Sequence, residues 1–197
     1  MELLLVRHGL PERVENEDGR PADPPLSTEG HDQAARVGRW LESEAPGALY
    51  ASPLRRAQET AAPLAGTLGL DVGIEAGIVE LDHQSDYYIP LETLKAEDYE
   101  RWQALIQRGE LYAGVDMERF RRDVVDCIEA LIAKHAGQRI AIFCHGGVIN
   151  AWAGHVLGIA DPFFLDVGYT GVSRFLAASS GERSVRSLNE LAHLRDA

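Results

Sequence analysis

The chain has 197 residues, 45% of them apolar, which suits one α/β domain with a well-buried core. It carries 31 acidic residues against 19 Lys and Arg, a formal net charge of -12. Because this charge repels polyanions, we expect neither nucleic acid nor a membrane surface as a partner, and an anionic substrate would need a local cationic pocket.

The cysteine content and the N-terminus bear on the cellular compartment. Cys127 and Cys144 are the only cysteines, too few for a disulfide framework, and they form no Cys-x-x-Cys pair. The apolar run at the start is shorter than the roughly 7 to 15 residues of a signal-peptide core. No stretch of about 18 apolar residues follows. We therefore expect a cytoplasmic protein without a leader or a membrane span.

The first predicted element is a strand over residues 3–6, where four apolar residues follow one another without alternation. Such a run is typical of a parallel strand covered by helices on both faces. A helix is predicted to begin near Ser27, because apolar residues recur at helical spacing between positions 34 and 41. We expect this helix to end before Pro46 and Gly47.

A short strand at residues 48–51 precedes a second predicted helix. Ser52 would supply the N-cap oxygen of this helix, and Pro53 would take its first position. The helix should run to about Gly69. A third helix is predicted over residues 116–134, where apolar side chains form one stripe.

The second half of the chain continues the alternation of helices and strands. Cys127 belongs to the apolar stripe and is expected in the core. Arg139–Cys144 is a second apolar run, and residues 172–176 and 184–188 are further strand candidates. These elements predict a three-layer α/β/α fold with a mostly parallel central sheet.

The segment from about 80 to 115 breaks this alternation, since it is rich in charged and aromatic residues. We predict that it is a helical, lid-like insertion over the active site, in which the aromatic side chains either pack the insertion or contact substrate. No repeat, low-complexity tract or linker divides the chain. Residues 1–197 are therefore expected to form a single domain.

Two predicted strands end in a His that is followed at once by Gly: His8-Gly9 and His145-Gly146. Ligands of open α/β sheets bind outside the carboxyl ends of the strands, so both imidazoles should lie at one edge. Arg56 lies in the first turn of the second predicted helix, where backbone N–H groups also favour anions. The three junctions would converge on one anion.

The residue types at these junctions suit phosphoryl transfer. A neutral imidazole with a free lone pair can attack phosphorus, which fits His8. Arginines bind phosphate oxygens bidentately and keep their charge, which fits Arg7 and Arg56. A protonated His145 could add to the neutralisation of the equatorial oxygens.

Three sequence motifs carry a resemblance to a known family. Leu5-Val6-Arg7-His8-Gly9, the ten residues Ser-Pro-Leu-Arg-Arg-Ala-Gln-Glu-Thr-Ala at 52–61, and His145-Gly146-Gly147 resemble the histidine phosphatase, or phosphoglycerate-mutase-like, superfamily. The resemblance spans most of the chain and is to the phosphatase-type members. It implies phosphorylation of His8.

The resemblance also implies phosphate binding by Arg7, Arg56 and His145, together with His8. Arg56 is preferred to Arg55 because the family's retained Arg immediately precedes Ala. No cofactor is implied. A metal is not expected, because no His-Glu-x-x-His motif or compact His/Cys cluster occurs, although His8, His145 and Glu80 could converge.

The family places an acidic residue shortly after the second helix, and Glu80 matches it best, with Asp82 as the competitor. This acid would protonate the leaving oxygen and then deprotonate the attacking water, so its carboxyl pKa must move toward working pH. Burial and a neighbouring Asp82 would raise the pKa, and nearby arginines would lower it. The sequence leaves the balance open.

The chain departs from the family pattern after the first motif. Many members have Ser or Thr two places after the Gly and Asn three places further, and here these positions hold Pro11 and Val14. The family's side chains for two phosphate or substrate contacts are therefore absent from these positions. Asn16 or Arg13, from a shifted loop, would be the substitutes.

The predicted function is hydrolysis of a small phosphorylated metabolite through a phosphohistidine on His8. The alternatives are a phosphoglycerate-mutase-type transfer and a catalytically inactive relative that binds a phospho-ligand. The family's mutases have Glu directly after the Arg-His-Gly triplet, a longer insertion and a C-terminal tail, whereas this chain has Leu10 and stops at Ala197. Hydrolysis is therefore favoured. The substrate and the oligomeric state, a homodimer included, stay open.

Overall fold

The computed structural model describes residues 1–107 and 114–195. The strands are β1 (Glu2–Arg7), β2 (Val14–Glu15), β3 (Ala48–Ala51), β4 (Val72–Ile74), β5 (Tyr87–Tyr88), β6 (Arg139–Cys144), β7 (Val172–Ala177) and β8 (Arg183–Glu190). The α-helices are α1 (Thr28–Glu42), α2 (Arg55–Leu68), α3 (Leu91–Glu97), α4 (Tyr99–Gln107), α5 (Met117–Lys134) and α6 (Gly146–Leu157). Short 3-10 helices follow β4 and β8.

Six strands form the central sheet in the order β4-β3-β6-β1-β7-β8. β4, β3, β6 and β1 are mutually parallel, and β7 pairs antiparallel with both β1 and β8. Helices lie between the parallel strands along the chain and pack on the sheet. The predicted α/β class with a mostly parallel sheet is confirmed.

The helices cover both faces of the sheet, because successive side chains of a strand point to opposite sides. Leu4 and Val6 of β1 pack with residues of α1 and α2, including Val37 and Leu64. Leu3 and Leu5 point the other way and pack against α5 and α6. That second cluster also contains Ile128, Trp152, the buried Cys144 and, partly buried, Cys127. The lack of alternation in β1 thus reflects burial on both faces.

The start of α2 differs from the prediction. The helix begins at Arg55 with Leu54 as its N-cap, and no side chain caps it. The hydroxyl of Ser52 instead accepts a long hydrogen bond of 3.3 Å from the Leu54 N–H. It also forms a hydrogen bond of 2.7 Å with His145 Nε2. The helix ends at Gly69, which has a left-handed backbone with φ of 64° and stops the helix where predicted.

The region between α2 and α5 holds β4, the two-residue strand β5 and the helices α3 and α4. β5 pairs with β2 as a separate ribbon, Val14 opposite Tyr88. Helices α3 and α4 pack through a small apolar cluster of Ile89, Leu94 and Leu105. The predicted insertion at about 80–115 lies partly outside the described residues, and its boundaries and the single-domain assignment stay predictions.

No helix in the described ranges is long and apolar enough to cross a membrane.

Candidate active site

Three parallel strands end at one edge of the sheet and bring three polar side chains together. His8 follows β1, Ser52 follows β3 and His145 follows β6. Backbone hydrogen bonds continue the ladder past the strands, from the His8 N–H to the Cys144 carbonyl at 2.9 Å and from the Ser52 N–H to the Phe143 carbonyl at 3.0 Å. The ring centroids of His8 and His145 lie 5.1 Å apart. The two predicted imidazoles thus lie side by side.

The imidazole of His8 is held in one tautomer. Its Nδ1 lies 2.8 Å from the carbonyl oxygen of Gly9. A carbonyl can only accept, so Nδ1 carries the proton and Nε2 keeps its lone pair. Burial and the charges of Arg56 and Arg7 hold the pKa of His8 well below its usual value. His8 is therefore a neutral imidazole with a lone pair on Nε2.

The surroundings of His145 disfavour the protonated imidazole that the sequence suggested. It is completely buried. Burial lowers the pKa of His145 well below its usual value, and the charge of Arg56 and the neighbouring His8 and Arg7 lower it further. Two arginines within one buried cluster make an additional cation costly.

Two buried nitrogen atoms in this cluster have no hydrogen-bond partner: Nε of Arg56 and Nδ1 of His145. Buried polar atoms in native proteins are almost always paired, so such atoms call for a missing partner. Both residues are essentially inaccessible to solvent, with Arg56 1% exposed. Their donor capacity beside the lone pair of His8 fits an anion with several oxygens, such as a phosphoryl group.

The orientation of Arg7 depends on the loop before β7. The Arg7 guanidinium donates to the Val167 carbonyl and lies over the ring of Tyr169, 3.9 Å from its centroid. The N–H of Thr170 donates to the His8 carbonyl at 3.2 Å. Thr170 adopts a left-handed backbone with φ of 55°. No sequence motif indicates a role for this loop.

Glu80 and Asp82 occupy different environments, which separates the two candidates for the acid. The carboxylate of Glu80 accepts from the N–H of Gly147 at 3.0 Å and from that of Leu81 at 3.0 Å. Asp82 instead pairs with the Arg56 guanidinium at 3.2 Å. Burial, and then the charge of Asp82, raise the pKa of Glu80 to about 7 against the opposing effect of Arg56. This is the pKa range that a general acid and base requires.

Gly147 at the start of α6 is required for the position of Glu80. A Cβ atom at residue 147 would come within 2.3 Å of the Glu80 carboxylate. Such a contact is too close for any side chain, so only glycine lets the carboxylate reach the N–H groups at the helix N-terminus.

His8, Arg7, Arg56 and Glu80 line one cavity of about 670 Å³. His145 packs against His8 and does not line the cavity. The ring of Tyr88 lies over Arg56, 4.6 Å from its guanidinium, and packs edge-on against His8. In the described ranges, no group of three or more His, Cys, Asp or Glu side chains is arranged to hold a metal ion.

The suggested substitutes for the lost first-loop contacts do not reach this cavity. The Asn16 amide donates to two carbonyls of its own loop, and Arg13 pairs with Glu15 at 2.7 Å on the surface. Neither residue lines the cavity. Val14, at the position of the family's Asn, is part of the β2–β5 ribbon that carries Tyr88. At this position of the family pattern, the chain therefore has a strand residue that pairs with Tyr88, whose side chain lines the cavity.

The sequence also resembles those of known proteins. The sequence profile of the histidine phosphatase superfamily (branch 1) matches residues 3–190. Phosphoserine phosphatase 1 of Hydrogenobacter thermophilus is 28% identical over 201 residues, which cover 98% of this chain and 94% of that protein. A probable phosphoglycerate mutase of Citrobacter koseri is 25% identical over 164 residues, covering 81% of this chain and 76% of that protein.

The fold also matches solved structures. A mutant phosphoserine phosphatase of Entamoeba histolytica, in complex with phosphoserine, superposes with a TM-score of 0.75. The two sequences are 21% identical, and the match covers 98% of this chain and 99% of that one.

Proposed function

The chain belongs to branch 1 of the histidine phosphatase superfamily. We propose that it is a phosphoric monoester hydrolase that cleaves its ester through a phosphohistidine on His8. One observation carries this proposal. The neutral imidazole of His8, with its lone pair on Nε2, lies in a buried cluster with two unpartnered donors, Arg56 Nε and His145 Nδ1. A phosphoryl group on Nε2 of His8 would accept from Arg56, which lines the cavity, and would lie next to the ring of His145.

In the first step, Nε2 of His8 attacks phosphorus, and the bond from phosphorus to the ester oxygen breaks. Glu80, protonated below its pKa of about 7, gives its proton to the leaving oxygen. The guanidinium groups of Arg7 and Arg56 neutralise the equatorial oxygens. The Gly9 carbonyl, which accepts from Nδ1, stabilises the positive charge of the phosphorylated ring.

In the second step, the carboxylate of Glu80 removes a proton from water, and the resulting nucleophile attacks the phosphohistidine. The bond between Nε2 and phosphorus breaks, and inorganic phosphate leaves. His8 recovers its neutral state and Glu80 its proton, so the cycle closes without a cofactor.

The ligand is a small phosphorylated compound, consistent with relatives that are named for phosphoserine and phosphoglycerate. Hydrolysis is preferred to mutase transfer because Leu10, and not Glu, follows the Arg-His-Gly triplet. An inactive phospho-ligand-binding relative is disfavoured by the complete set of proposed catalytic groups. A homodimer stays a prediction.

Rapid mixing with a labelled ester, followed by alkaline quench, tests the phosphohistidine and its fate. We expect acid-labile label on the protein within the first turnover, lost as inorganic phosphate. Label transferred to a second hydroxyl of the substrate would favour the mutase. Absence of both protein label and phosphate release across a broad ester panel would favour the inactive relative.

The role of Glu80 predicts the pH dependence of the reaction. Because the acid form is needed to protonate the leaving oxygen, kcat/KM should fall as pH rises through about 7. Glu80→Gln should remove this fall and lower kcat by about 100-fold. Steady-state rates from pH 5 to 9 with an alkyl phosphate measure both effects.

Asp82→Asn is the matched control, because it removes a neighbouring carboxylate that raises the pKa of Glu80. We expect the fall in kcat/KM to move to lower pH and to persist. If instead Asp82→Asn abolished the fall while Glu80→Gln kept it, Asp82 would be the acid.

Ser52 is predicted to position His145 for donation to phosphate. Its hydroxyl bonds His145 Nε2 at 2.7 Å. When the hydroxyl is the donor, the imidazole proton lies on Nδ1, the atom without a partner. Ser52→Ala should lower kcat/KM about tenfold or more, the usual cost of losing an orienting partner. Ser52→Thr should restore the rate, and nitrogen NMR shifts of His145 should report the proton moving to Nε2 in Ser52→Ala alone.

A further inference from the structure

The cavity that contains His8 is much larger than a phosphoryl group. Its volume of about 670 Å³ lies within the roughly 300 to 1,000 Å³ of sites that enclose drug-sized ligands. Arg7, His8, Arg56 and Glu80 are assigned to the phosphoryl group. The rest of the lining surrounds the space for the alcohol part of the ester and is therefore the part of the site that can select it.

Most of this remaining lining is apolar or aromatic. Trp102 and Leu105 of α4 and Ile89 before α3 belong to it, and they also pack against one another in the small apolar cluster. Phe163, in the loop after α6, adds a large ring that is 36% exposed. Covering such rings with an apolar ligand removes them from water, which favours binding roughly in proportion to the buried area.

The charges in this part of the cavity disfavour a carboxylated alcohol. Asp161 and Asp166 line it with negative charge, in addition to Asp82, which pairs with Arg56. In the part of the chain that the structure describes, Lys95 is the single cationic lining residue apart from Arg7 and Arg56. Its ammonium lies over the Trp102 ring, 4.7 Å from the centroid. A second anionic group on the substrate would meet more carboxylates than cations.

Resting on the proposed phosphohydrolase function, we propose that the substrate is the phosphate monoester of a bulky, uncharged alcohol with an aromatic or polycyclic apolar part. Phosphoserine and 3-phosphoglycerate, the small carboxylated esters bound by solved relatives, would leave most of the cavity to water. They would also place a carboxylate among the aspartates.

A panel of alkyl esters with similar leaving groups tests this substrate class. Ethyl phosphate, 2-(1-naphthyl)ethyl phosphate, phosphoserine and 3-phosphoglycerate are compared by release of inorganic phosphate. We expect kcat/KM for the naphthylethyl ester to exceed that for phosphoserine by about 100-fold, since each well-packed apolar group contributes roughly tenfold or more. Ethyl phosphate, whose alcohol part has neither a charge nor a ring, should have a kcat/KM between these two values.

Two substitutions of aromatic lining residues, the wall variants, test whether the proposed contacts cause the preference for the naphthylethyl ester. Trp102→Ala and, separately, Phe163→Ala should each lower the ratio of naphthylethyl to ethyl phosphate kcat/KM about tenfold. Two variants from different segments guard against the misfolding of either one. The control is Ile74→Ala, an exposed residue at the edge strand β4 that does not line the cavity, and it should keep the wild-type ratio.

The outcomes separate this inference from the proposed function. If phosphoserine or 3-phosphoglycerate is hydrolysed as fast as the naphthylethyl ester, the substrate class is wrong and the phosphohydrolase stands. The class is equally wrong if both wall variants keep the wild-type ratio. If no ester forms a phosphoenzyme or releases phosphate, the proposed function itself fails.

Discussion

Replacing His8 with alanine is expected to lower the turnover of every phosphate ester by on the order of 10⁴-fold or more, the scale of losing a covalent nucleophile. The reason is chemical, because no other described side chain in the cavity presents a neutral imidazole with its proton fixed by a carbonyl. Phosphate release measures the rate, and the acid-labile protein label should disappear with it.

His155→Ala provides the comparison for His8→Ala. His155 is an exposed histidine near the end of α6 that does not line the cavity, so its loss should leave rate and label intact. His8→Asn, which keeps a polar side chain of moderate size, guards against a folding defect in the alanine variant. A label that survives in both His8 variants would assign the nucleophile elsewhere.

The second large effect is expected from Arg56→Ala, which should lower kcat/KM by about 10³-fold. The guanidinium is 1% exposed, and its Nε has no partner. Its loss removes charge from the developing transition state and also leaves the carboxylate of Asp82 without its ion pair. Steady-state kinetics with an alkyl phosphate measures the effect.

Arg55→Ala is a closely matched control, since the adjacent residue has the same chemistry in a different environment. The Arg55 side chain is 57% exposed and pairs with Glu59 one helical turn away. A surface pair of this kind contributes little, so the Arg55 variant should keep nearly full activity. Arg56→Lys should recover only part of the loss, because an ammonium cannot reproduce the planar fork. Equal losses for Arg55→Ala and Arg56→Ala would contradict the assignment.

The sheet and its strand-end histidines were predictable because they depend on backbone rules. Two uninterrupted apolar runs predict neighbouring buried strands, and β1 and β6 pair in parallel so that Val6 lies opposite Phe143 and Arg7 opposite Cys144. The residues that follow must then lie at the same edge. The proximity of His8 and His145 could therefore be predicted without knowledge of side-chain packing.

Side-chain states were not predictable in the same way. The charge of His145 depends on complete burial beside arginines, a property of the folded cluster and not of a motif. Ser52 could cap a helix or bond across the site, and the position of His145 decides in favour of the second. The raised pKa of Glu80 likewise depends on competing contributions of burial, Asp82 and Arg56.

The placement of Tyr88 in the cavity lining was the least predictable part of the site. The β2–β5 ribbon pairs Val14 with Tyr88, which lies far away in the sequence. Each of its strands has only two residues. So short a pairing leaves little periodicity in the sequence. The aromatic content of the segment indicated a role at the site, but not which rings face the ligand.

The ribbon and the nucleophile differ in how their backbone hydrogen bonds are protected. The amide of His8 bonds into the parallel ladder at Cys144, within the buried sheet, and such amides exchange with solvent only when the whole domain unfolds. A two-residue ribbon outside the main sheet opens by local fluctuation at far lower free energy. We therefore expect the amides of the β2–β5 ribbon to exchange faster than the amide of His8, so that Tyr88 can move aside for a bulky alcohol while the chemical groups stay in register.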